Sequence, residues 1–264
     1  MNGLIITTAQ RPDAGTARQA EEIARELGVP YIQRNKESLE IISQGSQNNI
    51  LVVASKGLKL ITPQGDFVFH PSMSKLRIRN MVRGEGDALA AAMDLSPGNT
   101  VLDCTLGLGA DAILTAFAVK SAGRVIGLES NPLLAFIVKE GLRTYKDENQ
   151  DLNEAMRRVE VICANHQEYL TKQLDASFDV VYFDPMFRRP VSRSSSMEPL
   201  RRLAIPDAVT VETINEAKRV AARRVVLKET RNSPEFARLG FHQVVGGRYS
   251  PVAYGIITKG EAIK

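Results

Sequence analysis

Sulfur and imidazole chemistry is nearly missing from this chain, which has two cysteines and three histidines among 264 residues. Cys104 and Cys163 each fall at the end of a predicted strand, with neither a C-x-x-C pair nor a histidine cluster to complete a ligand set. That pattern excludes zinc and redox chemistry, gives no metal site and leaves two reduced, buried thiols. No apolar run approaches the ~20 residues that a membrane helix needs. The run from Leu4 to Ala9 is short and has no basic flank, so it reads as a first strand rather than a signal peptide, and the expected compartment is the cytoplasm. There is also no internal repeat and no long low-complexity tract.

What the chain does contain is an orderly alternation. In the first 70 residues a strand over Leu4 to Ala9 precedes an amphipathic stretch from Ala17 to Leu27 and a strand-like Pro30 to Gln33. Short runs then follow at Ile50 to Ala54, Leu58 to Ile61 and Phe67 to Phe69. The turn formers Ser55-Lys56-Gly57 and Pro63-Gln64-Gly65 between them predict antiparallel hairpins, hence a small N-terminal α+β domain over residues 1–72 with an RNA-binding role. Residues 73–98 read as a basic linker, carrying Lys75, Arg77, Arg79 and Arg83, followed by an alanine-rich helix. From residue 99 to 264, predicted strands at 100–103, 124–129, 159–163, 178–184 and 224–228 alternate with helical stretches at 110–119, 132–145, 167–172 and 207–221. Near-continuous apolar strands separated by helices predict an α/β, Rossmann-like parallel sheet covered on both faces. Phe241 to Val245 and Val252 to Thr258, around Gly246-Gly247, predict a C-terminal antiparallel hairpin.

Ligands of open parallel sheets sit beyond the carboxyl ends of the strands, so the polar residues there are read together. The first strand ends at Asp103 and runs through Thr105 into a turn at Gly107 and Gly109, where bare backbone can approach a ligand. The second ends at Glu129, placed to accept hydrogen bonds from both hydroxyls of a ribose. Gly107-Leu-Gly109-Ala-Asp-Ala112 matches the G-x-G-x-x-A of dinucleotide sites, with Glu129 at the customary distance. In those sites, however, the first glycine follows the strand at once, and a carboxylate at Asp103 would repel a pyrophosphate. S-adenosyl-L-methionine carries no phosphate, and its ammonium and sulfonium suit Asp103 and Asp111. Asn165 either meets the adenine edge or caps the helix after it.

A second cluster, Asp184-Pro185-Met186-Phe187, ends the fourth strand. It resembles the D/N-P-P-Y/F signature of methyltransferases acting on amino nitrogens. A nucleobase amine is a weak nucleophile because its lone pair is delocalised into the ring. Two acceptors for its N–H groups, the Asp184 carboxylate and the Pro185 carbonyl, would draw the nitrogen toward tetrahedral geometry and aim the lone pair at the methyl group. Phe187 would stack on the base, while Met186 stands where the commonest form has a second proline. The following Pro/Ser-rich segment carries five arginines against one acid, Arg188, Arg189 and Arg193 among them, and suits an RNA backbone.

With these residues in view, the chain resembles the RsmJ family of bacterial small-subunit ribosomal RNA guanine-N2 methyltransferases. The likeness is carried by Asp103-x-Thr105-x-Gly107-Leu108-Gly109-x-Asp111-Ala112, by Leu128-Glu129-x-Asn131-Pro132 and by Val180-Val181-Tyr182-x-Asp184-Pro185-Met186-Phe187, with Gly84-x-Gly86-x-x-Leu89-Ala90-x-Ala92 upstream. That family itself has Asp-Pro-Met-Phe, so Met186 conforms to it. The resemblance implies a seven-stranded class I methyltransferase sheet behind a small N-terminal domain. It further implies S-adenosylmethionine contacts around Ala110, Asp111, Glu129, Ser130 and Asp184, a guanine amine as acceptor, and ribosomal RNA or the small ribosomal subunit as partner. Two features depart from the family: position 110 is alanine where arginine is usual, and the segment after Phe187 is arginine- and serine-rich rather than lysine-rich. The competing readings are amino-group methylation of DNA, protein or a small molecule, and a non-catalytic RNA-binding or ribosome-assembly factor.

Overall fold

The computed structural model describes residues 3–35, 37–42, 49–185, 208–247 and 250–259. They divide into two compact units, one formed by the described residues up to His70 with Phe136–Tyr145, the other by Pro71–Ala135 and the remaining described residues from Lys146 onward.

In the first unit, β1 (Leu4–Thr8) leads through α1 (Ala14–Leu27) and α2 (Leu39–Ile42) to β2 (Asn49–Ala54), β3 (Gly57–Thr62) and β4 (Gly65–Val68). β1 and β2 run parallel, so a crossover is required, and α1 supplies it; β2, β3 and β4 are the antiparallel set that the turn residues predict. Asp13 caps α1 by accepting the Thr16 N–H, and Gly28 ends it in the left-handed conformation. Ala20, Ile23 and Ala24 line the buried face of the helix, against a sheet whose Ile6, Leu51, Val53 and Leu60 are fully enclosed. The strand predicted at Pro30 to Gln33 is reduced to a single bridge between Tyr31 and Ile6.

The second unit contains α3 (Ser72–Val82), α4 (Ala88–Met93), β5 (Thr100–Asp103), α5 (Ala110–Val119), β6 (Arg124–Glu129), the first turn of α6 (Pro132–Thr144), α7 (Gln150–Arg157), β7 (Val159–Cys163), α8 (His166–Thr171) and β8 (Phe178–Phe183). It closes with α9 (Val211–Val220), β9 (Ala221–Thr230), α10 (Glu235–Arg238), β10 (Gln243–Val245) and β11 (Val252–Thr258). The seven-stranded sheet has the order β10-β11-β9-β8-β5-β6-β7, parallel except for β11 and β10. Valine, leucine and isoleucine in β5 and β6, and Val180 and Val181 with Phe178, Tyr182 and Phe183 in β8, are buried on both faces, as a doubly covered parallel strand requires. Chain order reverses between β5 and β8, which puts the topological switch point beside the carboxyl ends of those strands.

Three local expectations change. The basic stretch read as a linker contains helix α3, whose Ser74 and Ile78 are buried one turn apart; the Ser74 hydroxyl donates to the Ala110 carbonyl at 3.0 Å. Helix α7 arises between the predicted helix and strand on either side of it, capped by Asn149 and burying Leu152, Ala155 and Met156. Cys104 is buried as expected but Cys163 is exposed, because β7 is the edge strand of the sheet.

Candidate active site at the carboxyl ends of the strands

The segment after β5 is tied down by backbone hydrogen bonds to both neighbouring strands. The Cys104 N–H donates to the Tyr182 carbonyl of β8 at 2.8 Å, and the Leu106 N–H to the Leu128 carbonyl of β6 at 2.8 Å. Asp103 folds back to accept the Thr105 N–H at 3.0 Å. Gly107 (φ 51°) and Gly109 (φ 76°) then turn the chain through left-handed backbone into α5. A Cβ placed on Gly107 would meet nothing nearer than the Thr105 carbonyl oxygen at 3.9 Å, so this turn presents bare backbone to open space.

At the end of β6 the Glu129 side chain is buried and its Oε1 accepts the Asn131 N–H at 2.9 Å; Ser130 beside it is half-buried. Asn131 caps α6 through the N–H groups of Leu133 and Leu134. Of the two readings for Asn165, the structure shows the cap: Oδ1 accepts the N–H of Gln167 at 2.8 Å and of Glu168 at 3.3 Å.

The densest arrangement lies at the switch point. Lys228 of β9 extends its ammonium between two carboxylates, 2.7 Å from Asp184 Oδ2 and 2.8 Å from Asp111 Oδ2. Asp111 also accepts from Tyr182 Oη at 2.8 Å and from Arg77 Nη1 at 2.5 Å. Arg77 in turn forms a two-point pair with Asp87, which caps α4. The Asp184 N–H donates to Thr105 Oγ1 at 2.5 Å, joining the residue after β8 to the glycine turn.

Charge is distributed unevenly over these acids. Burial pushes Asp111 up, but Lys228 and Arg77 outweigh it and hold its pKa at about 2. Burial raises Asp184 to about 6, with Lys228 pulling down and Asp111 pushing up. Asp103, sealed from water, is pushed up to about 8 by burial and by its acidic neighbours against the Thr105 hydrogen bond. Lys228 is raised by Asp111 and Asp184 despite its own burial, so it stays an ammonium.

Asp103, Thr105, Gly107, Gly109, Ala110, Asp111, Asp184 and Pro185 are thus brought to one end of the sheet, with Glu129 and Ser130 at the adjoining strand end. Met186, Phe187, Arg188, Arg189 and Arg193 lie outside the described residues. The Arg77 guanidinium is paired with Asp87 and Asp111, while Arg79 on the same helix and Arg83 at its C-terminal cap are exposed. Asp111 accepts from Lys228, Arg77 and Tyr182. Lys228 and Asp87 are members of the cluster that no motif points to, and Tyr182 lies within the β8 motif quoted above, which assigns it no role; the one sequence signal for Lys228 is its place at the end of the predicted strand 224–228.

Residues 34–249 match the family described as "Putative SAM-dependent methyltransferase". The chain belongs to the SAM-dependent methyltransferases. It is 40% identical over 254 residues to an uncharacterized protein, YpiP, of Bacillus subtilis, covering 96% of this chain and 98% of that one. It is 32% identical to the ribosomal RNA small subunit methyltransferase J of Thioalkalivibrio sulfidiphilus, covering 86% and 89% of the two chains. The corresponding protein of Hydrogenovibrio crunogenus is 29% identical, over 83% and 77%. In structure it matches a SAM-dependent methyltransferase from Neisseria gonorrhoeae with a TM-score of 0.65 at 18% identity, over 98% and 97% of the chains, which supports the fold. The cofactor of this methyltransferase is therefore S-adenosylmethionine. The site suits it: the glycine turn leaves open space for a ligand, and the Glu129 carboxylate at the end of the neighbouring strand is an acceptor of the kind ribose hydroxyls need.

Proposed function

We propose that this methyltransferase acts on an exocyclic amine, guanine N2 of small-subunit ribosomal RNA, in the cytoplasm. The observation that carries the reading is the placement of Asp184 and Pro185 at the switch point, with the Asp184 backbone bonded to the glycine turn through Thr105. The relatives named for ribosomal RNA methylation, and the resemblance of Asp184-Pro185-Met186-Phe187 to the RsmJ family, support the choice of substrate.

S-adenosylmethionine supplies an electrophilic methyl on its sulfonium. Glu129 and Ser130 hold the adenosine ribose; Asp103, Thr105, Gly107, Gly109 and Ala110 line the rest of the cofactor. The Asp184 carboxylate and the Pro185 carbonyl accept the two N–H groups of the guanine amine, and Phe187 stacks on the base. The two acceptors aim the amine lone pair at the methyl that the bound cofactor would supply, its sulfur keeping the electrons of the broken carbon–sulfur bond, and the proton shed by the nitrogen would leave through Asp184 to water. Arg79 and Arg83, with Arg188, Arg189 and Arg193, contact RNA phosphates.

The test is transfer of labelled methyl from S-adenosylmethionine to small subunits and ribosomal RNA lacking modifications. The expected product is N2-methylguanine. Asp184→Ala should lower kcat by about 100-fold or more while cofactor affinity changes only a few-fold. Label on a different acceptor, or full activity in Asp184→Ala, would sink the reading.

A further inference from the structure

We infer that Lys228 is a positioning residue for the acceptor amine, acting through Asp184: it fixes one carboxylate oxygen and leaves the other, ionised, for the substrate N–H. The inference rests on the role given to Asp184 above.

The geometry supports two consequences. Lys228 Nζ occupies Asp184 Oδ2 at 2.7 Å, and Thr105 holds the Asp184 backbone at 2.5 Å, so the carboxylate cannot turn freely. Among the described residues no donor is bonded to Oδ1, and the side chain keeps 28% of its surface, so Oδ1 is the oxygen left for an incoming N–H, while the Asp111 carboxylate lies close enough to share a proton with Asp184. The second consequence is electrostatic. The charged and titratable groups around Lys228 and Asp184 are Asp111 on α5, Asp103 at the end of β5, Tyr182 on β8 and Tyr254 on β11, with Arg77 of α3 and Asp87 reached through Asp111. The acids and phenols in this set favour a neutral, protonated Asp184, and a protonated carboxyl would offer a donor where the amine needs an acceptor. Lys228 is the cation in direct contact with Asp184 that opposes them; Arg77 spends its charge on Asp111 and Asp87. Anchoring to Asp111, held at about 2 and therefore charged at all working pH, keeps the ammonium from following the substrate.

The experiment uses the full chain, with Lys228→Met, Lys228→Arg, Lys228→Gln, Asp184→Asn and the double variant Lys228→Met/Asp184→Asn. Methyl transfer is followed from pH 5.5 to 9.5, cofactor affinity by calorimetry, and the Asp184 carboxyl by 13C NMR titration, its signal assigned from Asp184→Asn. Removing the cation raises the Asp184 pKa, so the acid limb of the kcat profile should move up by about one unit or more. At neutral pH kcat should fall about 30-fold or more, with cofactor affinity changed less than about 3-fold. Lys228→Arg should restore part of the rate and most of the limb, and the double variant should be no slower than Asp184→Asn alone. An unmoved limb in Lys228→Met, or losses that multiply in the double variant, would overturn the inference; if Lys228→Met does not fold, Lys228→Gln is read in its place. Should the wild type leave ribosomal RNA unlabelled, the proposed function fails on its own. The NMR titration then still decides Lys228: an upward shift of the Asp184 carboxyl in Lys228→Met supports the coupling and an unshifted one refutes it.

Discussion

Asp103 shows what a single enclosed carboxyl does to a methyltransferase of this fold. It is 3% exposed, and burial, with Asp111 and Asp184 nearby, raises its pKa to about 8 against the Thr105 N–H and Lys228. The unfolded chain ionises this group near pH 4, whereas the native chain keeps its proton until about pH 8. Over that window the native state binds the extra proton, so this group's contribution to stability is complete below pH 4 and is lost as pH rises through 8. Asp103→Asn removes the titration while retaining an oxygen for Thr105. Urea unfolding at pH 5, 7 and 9 should therefore show the variant gaining on the wild type with each step, by a few kcal/mol across the range. A difference that stays flat with pH would show that the proton is not held. The strand-end acids and the glycine turn were legible in the sequence because each lies within a few residues of a predicted strand end. The partners of Asp111 were not: Arg77, Tyr182 and Lys228 stand 34, 71 and 117 residues from it, and only the strand order brings them together.

At the scale of elements, the glycine turn depends on a strand that does not contain it. Gly127 of β6 lies under the Leu106 side chain; a Cβ there would stand 2.4 Å from Leu106 Cδ1 and 3.0 Å from its Cγ. Leu106 is itself buried and its N–H is bonded to β6, so it cannot move aside without lifting the turn from the sheet. Gly127→Ala is expected to cost about 1–3 kcal/mol, seen as a lowered Tm, and also to weaken cofactor binding measurably. Loss of stability with unchanged cofactor affinity would uncouple the strand from the turn. The same physics explains which elements could be read in advance. β5, β6 and β8 announce themselves by continuous apolar residues, and α5 by an apolar stretch too long for a strand. Helix α3 hides because it buries only Ser74 and Ile78 fully and carries Lys75, Arg77, Arg79 and Arg83, so its periodicity is masked by charge. Helix α7 hides because its apolar face is three residues, Leu152, Ala155 and Met156, in an acidic and amide-rich stretch.

For the molecule as a whole, a net charge of +4 is too small to select a polyanion by itself, so the position of the charges has to do it. Arg79 on α3 and Arg83 at its C-terminal cap are exposed, and Arg77 of the same helix reaches inward to the switch-point cluster. Replacing both by Glu takes the net charge from +4 to 0, since each change removes two units. A control with the same arithmetic, Lys172→Glu with Lys218→Glu, reverses exposed charges on α8's C-terminal cap and on α9. If affinity for RNA followed net charge, the two double variants would lose equally. Local phosphate contact instead predicts that Arg79→Glu/Arg83→Glu alone weakens binding at every RNA sequence and lowers the slope of log affinity against log salt, by about 0.7 to 0.9 for each contact removed. Filter binding between about 50 and 300 mM salt measures both quantities. Calorimetry with S-adenosylmethionine should find cofactor affinity unchanged in both variants, because neither pair touches the strand ends. Equal losses in the two variants would place RNA on the diffuse field of the protein, and the basic helix would lose its claim as the surface that receives it.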